Sequence, residues 1–182
     1  VDLFPSWRKY IPNSIFLTPE TEIGFERSRA EFQLDPHWFP PFNPLKDLSV
    51  PPFISPKDIL GFHQHSRPSS EREHLACFAG KLWNDVTEAA AVRHAVKALA
   101  SLPGMRVYAE ISMSDLLTLE QMQELMGNSR FCLVPRGRAA WSVRFFESLL
   151  AGCVPVLLSD HYEPPFDALF DLSQFVIKWP VS

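Results

Sequence analysis

The stretch from Phe131 to Leu158 reads FCLVPRGRAAWSVRFFESLLAGCVPVLL, and its texture changes three times. Phe131 to Val134 is a short apolar run closed by Pro135, the pattern of a buried strand. Pro135 to Trp141, carrying proline and glycine, is a loop. Ser142 is a residue type that caps helices. From there to Ala151 the pattern is amphipathic, with Phe146 and Leu150 on one stripe, and Gly152 stops it. Val154 to Leu158 is a second apolar run. Strand, loop, helix and strand in one unit are the parts of a parallel crossover.

The same alternation extends outward. Leu75 to Ala79 reads as a strand ending at Gly80, and a helix capped by Asn84 or Asp85 runs to about Ala100 with Val92, Val96 and Leu99 on one face. Arg106-Val107-Tyr108 is another strand. Thr118 and Gln121 have capping-box spacing and open a helix to about Met126, closed by Gly127-Asn128. Phe175-Val176-Ile177 is the last strand. The fold class is therefore α/β, a Rossmann-like parallel sheet with flanking helices. Such sheets bind ligands at the carboxyl ends of their strands. That singles out Gly80-Lys81, Pro135 to Arg144 and Ser159 to Phe166.

The first third differs. Eleven of the 17 prolines fall at or before Pro68, which blocks regular helix repeatedly; only Glu20 to Leu34 is free of proline for long enough. Yet the segment carries Phe4, Trp7, Tyr10, Phe16, Trp38, Phe39, Phe42 and Phe53, too aromatic for a solvated linker. The prolines and rings of 36–53 fit packing on the sheet domain better than a sugar platform. A polar run, His63 to Glu73, marks a boundary, so residues 1–73 read as an irregular Pro/aromatic-rich interdomain segment and 74–182 as the α/β domain.

Composition narrows the function. The 182 residues are 46% hydrophobic and 21% charged with a mean hydropathy of −0.04, the balance of a globular chain with a core. A net charge of −4 offers no broad basic field for a nucleic-acid backbone, so nucleic acid is not an expected partner and any anion must be held by a local cluster. No apolar run is long enough to span a membrane. Val1-Asp2-Leu3-Phe4-Pro5 reads as the start of a fragment or processed form. Cys77, Cys132 and Cys153 match no zinc or redox spacing, and no metal is expected. His63 and His65 sit in the polar run and read as solvated loop.

The Pro135 to Arg144 loop carries the chemistry. Ser142 and Arg144 stand at a helix N-terminus, where unpaired backbone N–H groups favour an anion. Arg136 and Arg138 share the loop, and Gly137 lets a backbone approach closely. Guanidinium forks match phosphate oxygens, so the cluster suits a diphosphate. Glu147, three residues beyond Arg144, is placed to accept from ribose hydroxyls, as acidic residues do in dinucleotide folds. The competing reading is an exposed Arg144–Glu147 pair worth about 0.3–0.5 kcal/mol; substitution of either residue without loss of thermal stability is expected if the ligand role is correct.

Taken together, the run from Phe131 and the following Ser159-Asp160 to Pro165-Phe166 resemble the C-terminal signature of the exostosin family, the family 47 glycosyltransferases: F-C-L-x-P-x-G, S-x-R-x-x-E-x-L, G-C-x-P-V and P-F. Weaker likeness reaches upstream through Phe78 to Lys81 (F-x-G-K) and Lys46 to Pro52 (K-D-x-x-x-P-P). The resemblance implies the C-terminal, donor-binding half of a GT-B fold. It implies transfer, with inversion, of a sugar from a nucleotide-sugar donor, typically UDP-linked, to a glycan or glycoprotein acceptor. Donor-site residues would be Gly80, Lys81, Arg136, Gly137, Arg138, Ser142, Arg144 and Glu147, with the nucleotide sugar as the only cofactor-like ligand. Asp160 and Glu163 are weak candidates for the catalytic base, which otherwise belongs to an N-terminal half. The family implies a Golgi or ER lumen location with a membrane anchor outside this chain, and association with itself or another glycosyltransferase. In that compartment Cys132 and Cys153 are candidates for a disulfide, two buried thiols being the alternative; Cys77 reads as a core thiol. A non-catalytic partner subunit is the competing functional class.

Overall fold

The computed structural model describes residues 11, 13–19, 45–112, 114, 116–137, 139–160, 162–167 and 169–181. Its centre is a five-stranded, all-parallel sheet: β3 (His74–Lys81), β4 (Met105–Glu110), β5 (Ser129–Pro135), β6 (Val154–Leu158) and β7 (Ile177–Lys178), in the order β4-β3-β5-β6-β7. A small parallel pair, β1 (Leu17–Thr18) and β2 (Leu48–Ser49), lies outside it. Buried Asp47 steadies that pair by accepting the Phe16 N–H at 3.2 Å.

Four helices complete the layers: α1 (Pro56–His65), α2 (Glu88–Ala98), α3 (Leu119–Gly127) and α4 (Val143–Leu150). On one face α2 covers Phe78, Leu82 and Ala109 through Val96. On the other, α1 and α3 bury Phe62, Met122, Leu125 and Met126 against Cys77 and Cys132. Beside them α4 sets Phe145 and Phe146 against Val134 and Leu157. Alternate residues of β5 point to opposite faces, Val134 toward α4 and Leu133 toward α2, which is why these strands read as unbroken apolar runs.

Each helix starts at a side-chain cap. Thr118 and Gln121 form the expected capping box. For α2 the cap is Thr87, whose hydroxyl accepts the Ala90 N–H at 3.3 Å, rather than Asn84 or Asp85; Asp85 instead accepts the Thr87 hydroxyl at 2.6 Å. The end of α4 is a Schellman turn. The Cys153 N–H donates to Ser148 O at 2.9 Å and Gly152 sits at φ 63°, turning the chain into β6.

Helix α1 corrects the reading of 1–73 as irregular. Pro56 occupies the first helical position, where a missing N–H costs nothing and the fixed φ is already helical, and Ser55 caps it. The proline that seemed to block a helix starts one. Phe62 on α1 is fully buried in the same core cluster as Cys77 and Cys132. His63 and His65 therefore lie in the last turn of a helix, not a loop, with His65 Nδ1 2.8 Å from Gly61 O. The expected helix at Glu20 to Leu34 lies outside the described residues, as do residues 36–44; Phe53, expected to pack, is 87% exposed. The last strand starts two residues later than its apolar run implied, at Ile177 rather than Phe175.

Two buried arginines tie the ends of β5. At its start, Arg72 donates to Ser129 O (2.8 Å), Ala151 O (2.8 Å), Arg67 O (2.7 Å) and Ser66 Oγ (3.2 Å), joining the ends of α1 and α4 to the sheet. Burial pulls its pKa below the ordinary value. At the other end of β5 stands Arg93, which belongs to the site.

Candidate functional site

The strand order places the topological switch point between β3 and β5, because the chain leaves β3 for β4 on one side and returns to β5 on the other. The two strands are paired only from His74↔Ser129 to Cys77↔Cys132. Beyond that pair they run on to Lys81 and Pro135 paired to β4 and β6 but not to each other, so the sheet splays toward its carboxyl edge. A buried splay leaves carbonyls that need partners. Arginines from both faces supply them. Arg144, from α4, donates its Nε to Ala79 O at 3.3 Å. Arg93, from α2, donates Nη1 to Lys81 O at 2.8 Å and Nε to Arg136 O at 3.0 Å.

Of the residues anticipated from the sequence, Gly80 and Lys81 end β3, Arg136 and Gly137 follow β5, and Ser142, Arg144 and Glu147 lie at the start and in the first turns of α4. Ser142 is the N-cap of α4, its hydroxyl accepting the Arg144 N–H at 3.3 Å. Arg144 and Glu147 form an ion pair one turn into the helix, Nη1 to Oε2, but not an exposed one: their side chains are 30% and 10% accessible. The pair uses two of the five guanidinium N–H groups once the Ala79 bond is included, leaving Arg144 Nη2 and Glu147 Oε1 without hydrogen bonds among the described residues. A Cβ on Gly137 would meet Ala139 O and Trp141 O no closer than 3.4 Å and Ala139 N at 3.9 Å, so the fold itself does not demand glycine there. Gly80 is different, since a Cβ would lie 2.8 Å from the Phe78 ring and 3.2 Å from Arg93 Nη1. Arg136 turns inward: it is 4% exposed and pairs with Glu88 of α2 at 2.7 Å, bracing the loop. Lys81 stands in register with Glu110. Arg138 lies outside the described residues.

The base candidates sit beyond β6. Asp160 accepts the Val181 N–H at 3.1 Å and Glu163 is half-buried. Nearby Ser159 is buried and its hydroxyl donates to Ala140 O at 2.9 Å, fixing the far wall of the loop.

Sequence reasoning missed Arg93 and Glu88. Both lie on α2, Glu88 at its first residue and Arg93 in its middle, outside the motifs, and only the crossover brings them to the strand ends. The available signal was a charged residue, Arg93, next to Val92 and three before Val96 on a face otherwise apolar.

Below the crevice a disulfide joins Cys132 to Cys153, with Cα atoms 5.8 Å apart. Cys77 Sγ lies 3.5 Å from Cys132 Sγ, and burial pushes the Cys77 thiol up to about 11. These three are the one His/Cys/Asp/Glu group of three or more among the described residues whose donor atoms come together, and two of them are taken by the disulfide.

Comparison with known proteins bears on this arrangement. The Exostosin GT47 domain model matches residues 13–182. Over 56 residues the chain is 55% identical to Exostosin-1c of Danio rerio (31% of this chain, 8% of that protein). It is 53% identical over 55 residues to Exostosin-1 of Drosophila melanogaster (30% and 7%) and 49% over 57 residues to the Exostosin-1 homolog of Caenorhabditis elegans (31% and 15%). The aligned stretches thus span a small part of the length of these curated relatives.

Proposed function

The chain belongs to the exostosin family of glycosyltransferases, and from that membership we propose that it forms the donor-binding half of an inverting enzyme. The enzyme transfers a sugar from a nucleotide sugar, UDP-linked in the first instance, to a glycan or glycoprotein acceptor. The observation that carries the reading is the splay between β3 and β5 at the switch point, with the α4 N-terminus, Ser142, Gly137 and the outer edge of Arg144 around it. The diphosphate would lie over Gly137 and the N-terminus of α4, taking Arg144 Nη2 and unpaired backbone N–H groups. Glu147 Oε1 would accept from a ribose hydroxyl. Lys81 and Arg138 are further ligand candidates, while Arg136, paired with Glu88, supports the loop from beneath.

Direct displacement at the anomeric carbon makes the diphosphate a leaving group and requires a base for the attacking hydroxyl. Cations at the crevice stabilise the first. For the second, Asp160 and Glu163 are the candidates within this chain. The disulfide supports a luminal, Golgi or ER, setting, since such bonds persist in oxidising compartments; no helix among the described residues is long and apolar enough to cross a membrane. Association with another glycosyltransferase belongs to the same proposal.

Calorimetric titration with UDP, GDP and their sugar conjugates tests it. UDP binding that is lost in Arg144→Ala and Glu147→Gln is the expected result. A folded chain that binds neither UDP nor GDP refutes the donor site. Binding without transfer, in the full-length protein supplied with acceptor glycans, would assign the non-catalytic partner role instead.

A further inference from the structure

Arg93 is 8% exposed and has no carboxylate partner among the described residues; its hydrogen bonds go to two backbone carbonyls. Its guanidinium carbon lies 4.2 Å over the Trp83 ring and 5.6 Å from that of Phe78, a stacked and fixed geometry. The two carbonyls it bridges belong to the last residue of β3 and the first residue after β5. These are the two strands that part at Cys77↔Cys132. One planar group thus spans the splay where no backbone bond does. The charges nearby do not cancel it: Glu88 is engaged by Arg136 and Glu147 by Arg144. Its pKa falls to about 10, chiefly through burial and secondarily through the Arg144 charge, which places the two cations within electrostatic reach of each other across the sheet.

We propose that Arg93 is the positioning residue of the donor crevice, setting the separation of the β3 and β5 ends and leaving one uncompensated positive charge beneath a bound diphosphate. The inference rests on the donor-site reading above. It explains why the crevice is held by side chains rather than by the sheet ladder: a ladder bond would close it. It also explains Gly80, since any Cβ there would push on both Phe78 and Arg93 Nη1. Arg93 touches no ligand in this account. It acts through the Lys81 and Arg136 backbone.

The test compares the wild type with Arg93→Met and Arg93→Lys by UDP titration at a temperature where each is folded, with thermal unfolding in parallel. Methionine matches the length without charge or donors, and lysine keeps the charge but cannot fork to two carbonyls. The expected result is a loss of UDP affinity of about tenfold or more in Arg93→Met, with partial recovery in Arg93→Lys. Lower thermal stability with unchanged UDP affinity would assign Arg93 to the fold alone and overturn the proposal. If Arg93→Met does not fold, Arg93→Lys decides, and wild-type affinity in it overturns the proposal. Failure of the donor reading looks different, because then the wild type itself gives no heat with UDP or GDP, and both inferences fall.

Discussion

Reducing the Cys132–Cys153 disulfide is the perturbation whose size follows most directly from the structure. The bond closes a loop with a sequence separation of 21, and that loop contains the end of β5, the whole Pro135 to Trp141 segment, α4 and its Schellman turn. In the chain-entropy account, opening such a loop releases about 11 cal/mol/K in the unfolded ensemble, or about 3 kcal/mol at 25 °C. No side-chain volume is removed on reduction, so no cavity contribution is added. The assay is urea unfolding of chains equilibrated with and without excess reductant. With a slope of about 2 kcal/mol per molar, the midpoint should fall by about 1.5 M in reductant. Thiol counting on the denatured, unreduced chain fixes the starting state, with one free thiol expected. The reasoning fails if oxidised and reduced chains unfold at the same urea concentration, or if three free thiols are found.

The remaining predictions concern single side chains. Arg144→Ala should cost about 2 kcal/mol, because it leaves the buried Glu147 carboxylate without its cation; the unchanged stability expected of a ligand role therefore does not apply to a pair this buried, and UDP binding is the discriminating readout. Glu147→Gln should cost less than Arg144→Ala in the same chemical unfolding curves. Gly137→Ala should leave stability within about 0.5 kcal/mol yet weaken UDP binding, measured by titration. Gly127→Ala should cost about 2–3 kcal/mol in thermal or urea unfolding, since its Cβ would meet the backbone oxygen of His65 and force α1 off α3. Cys77 should stay unreactive to thiol reagents in the native chain. Burial raises its folded pKa to about 11, above the ordinary thiol value of 9.0, so its contribution to stability is present below pH 9 and is lost as pH rises toward 11. That is at most about 3 kcal/mol, read as the difference between wild type and Cys77→Ala across that range.

Residues 131–158 were legible because their chemistry is local. A cap, an apolar stripe and a glycine stop act within a few residues, so β5, α4 and β6 appear in the structure within a few residues of their sequence patterns. The Arg144–Glu147 pair and the Ser142 cap were legible for the same reason, since i, i+3 spacing makes the first two neighbours on the helix surface and serine is a preferred N-cap. Helix α1 was hidden by a rule applied without its position dependence: proline breaks a helix inside but favours its first turn. Arg136 was misjudged in another way. Its place in the loop was correct, but its direction, inward to Glu88, depends on where α2 crosses beneath.

The amino-acid order by itself therefore settles the alternation of strands and helices, the family and the loop that carries the cations, because capping, periodicity and turn chemistry act over a handful of residues. Only the tertiary structure decides the rest: that β3 and β5 are neighbours, that their ladder stops at Cys77 and Cys132, and that Arg93 bridges the gap. Those facts depend on contacts between positions 12 to 65 residues apart. They arise because unpaired carbonyls in a buried splay must find donors, and the nearest donors come from helices on opposite faces of the sheet.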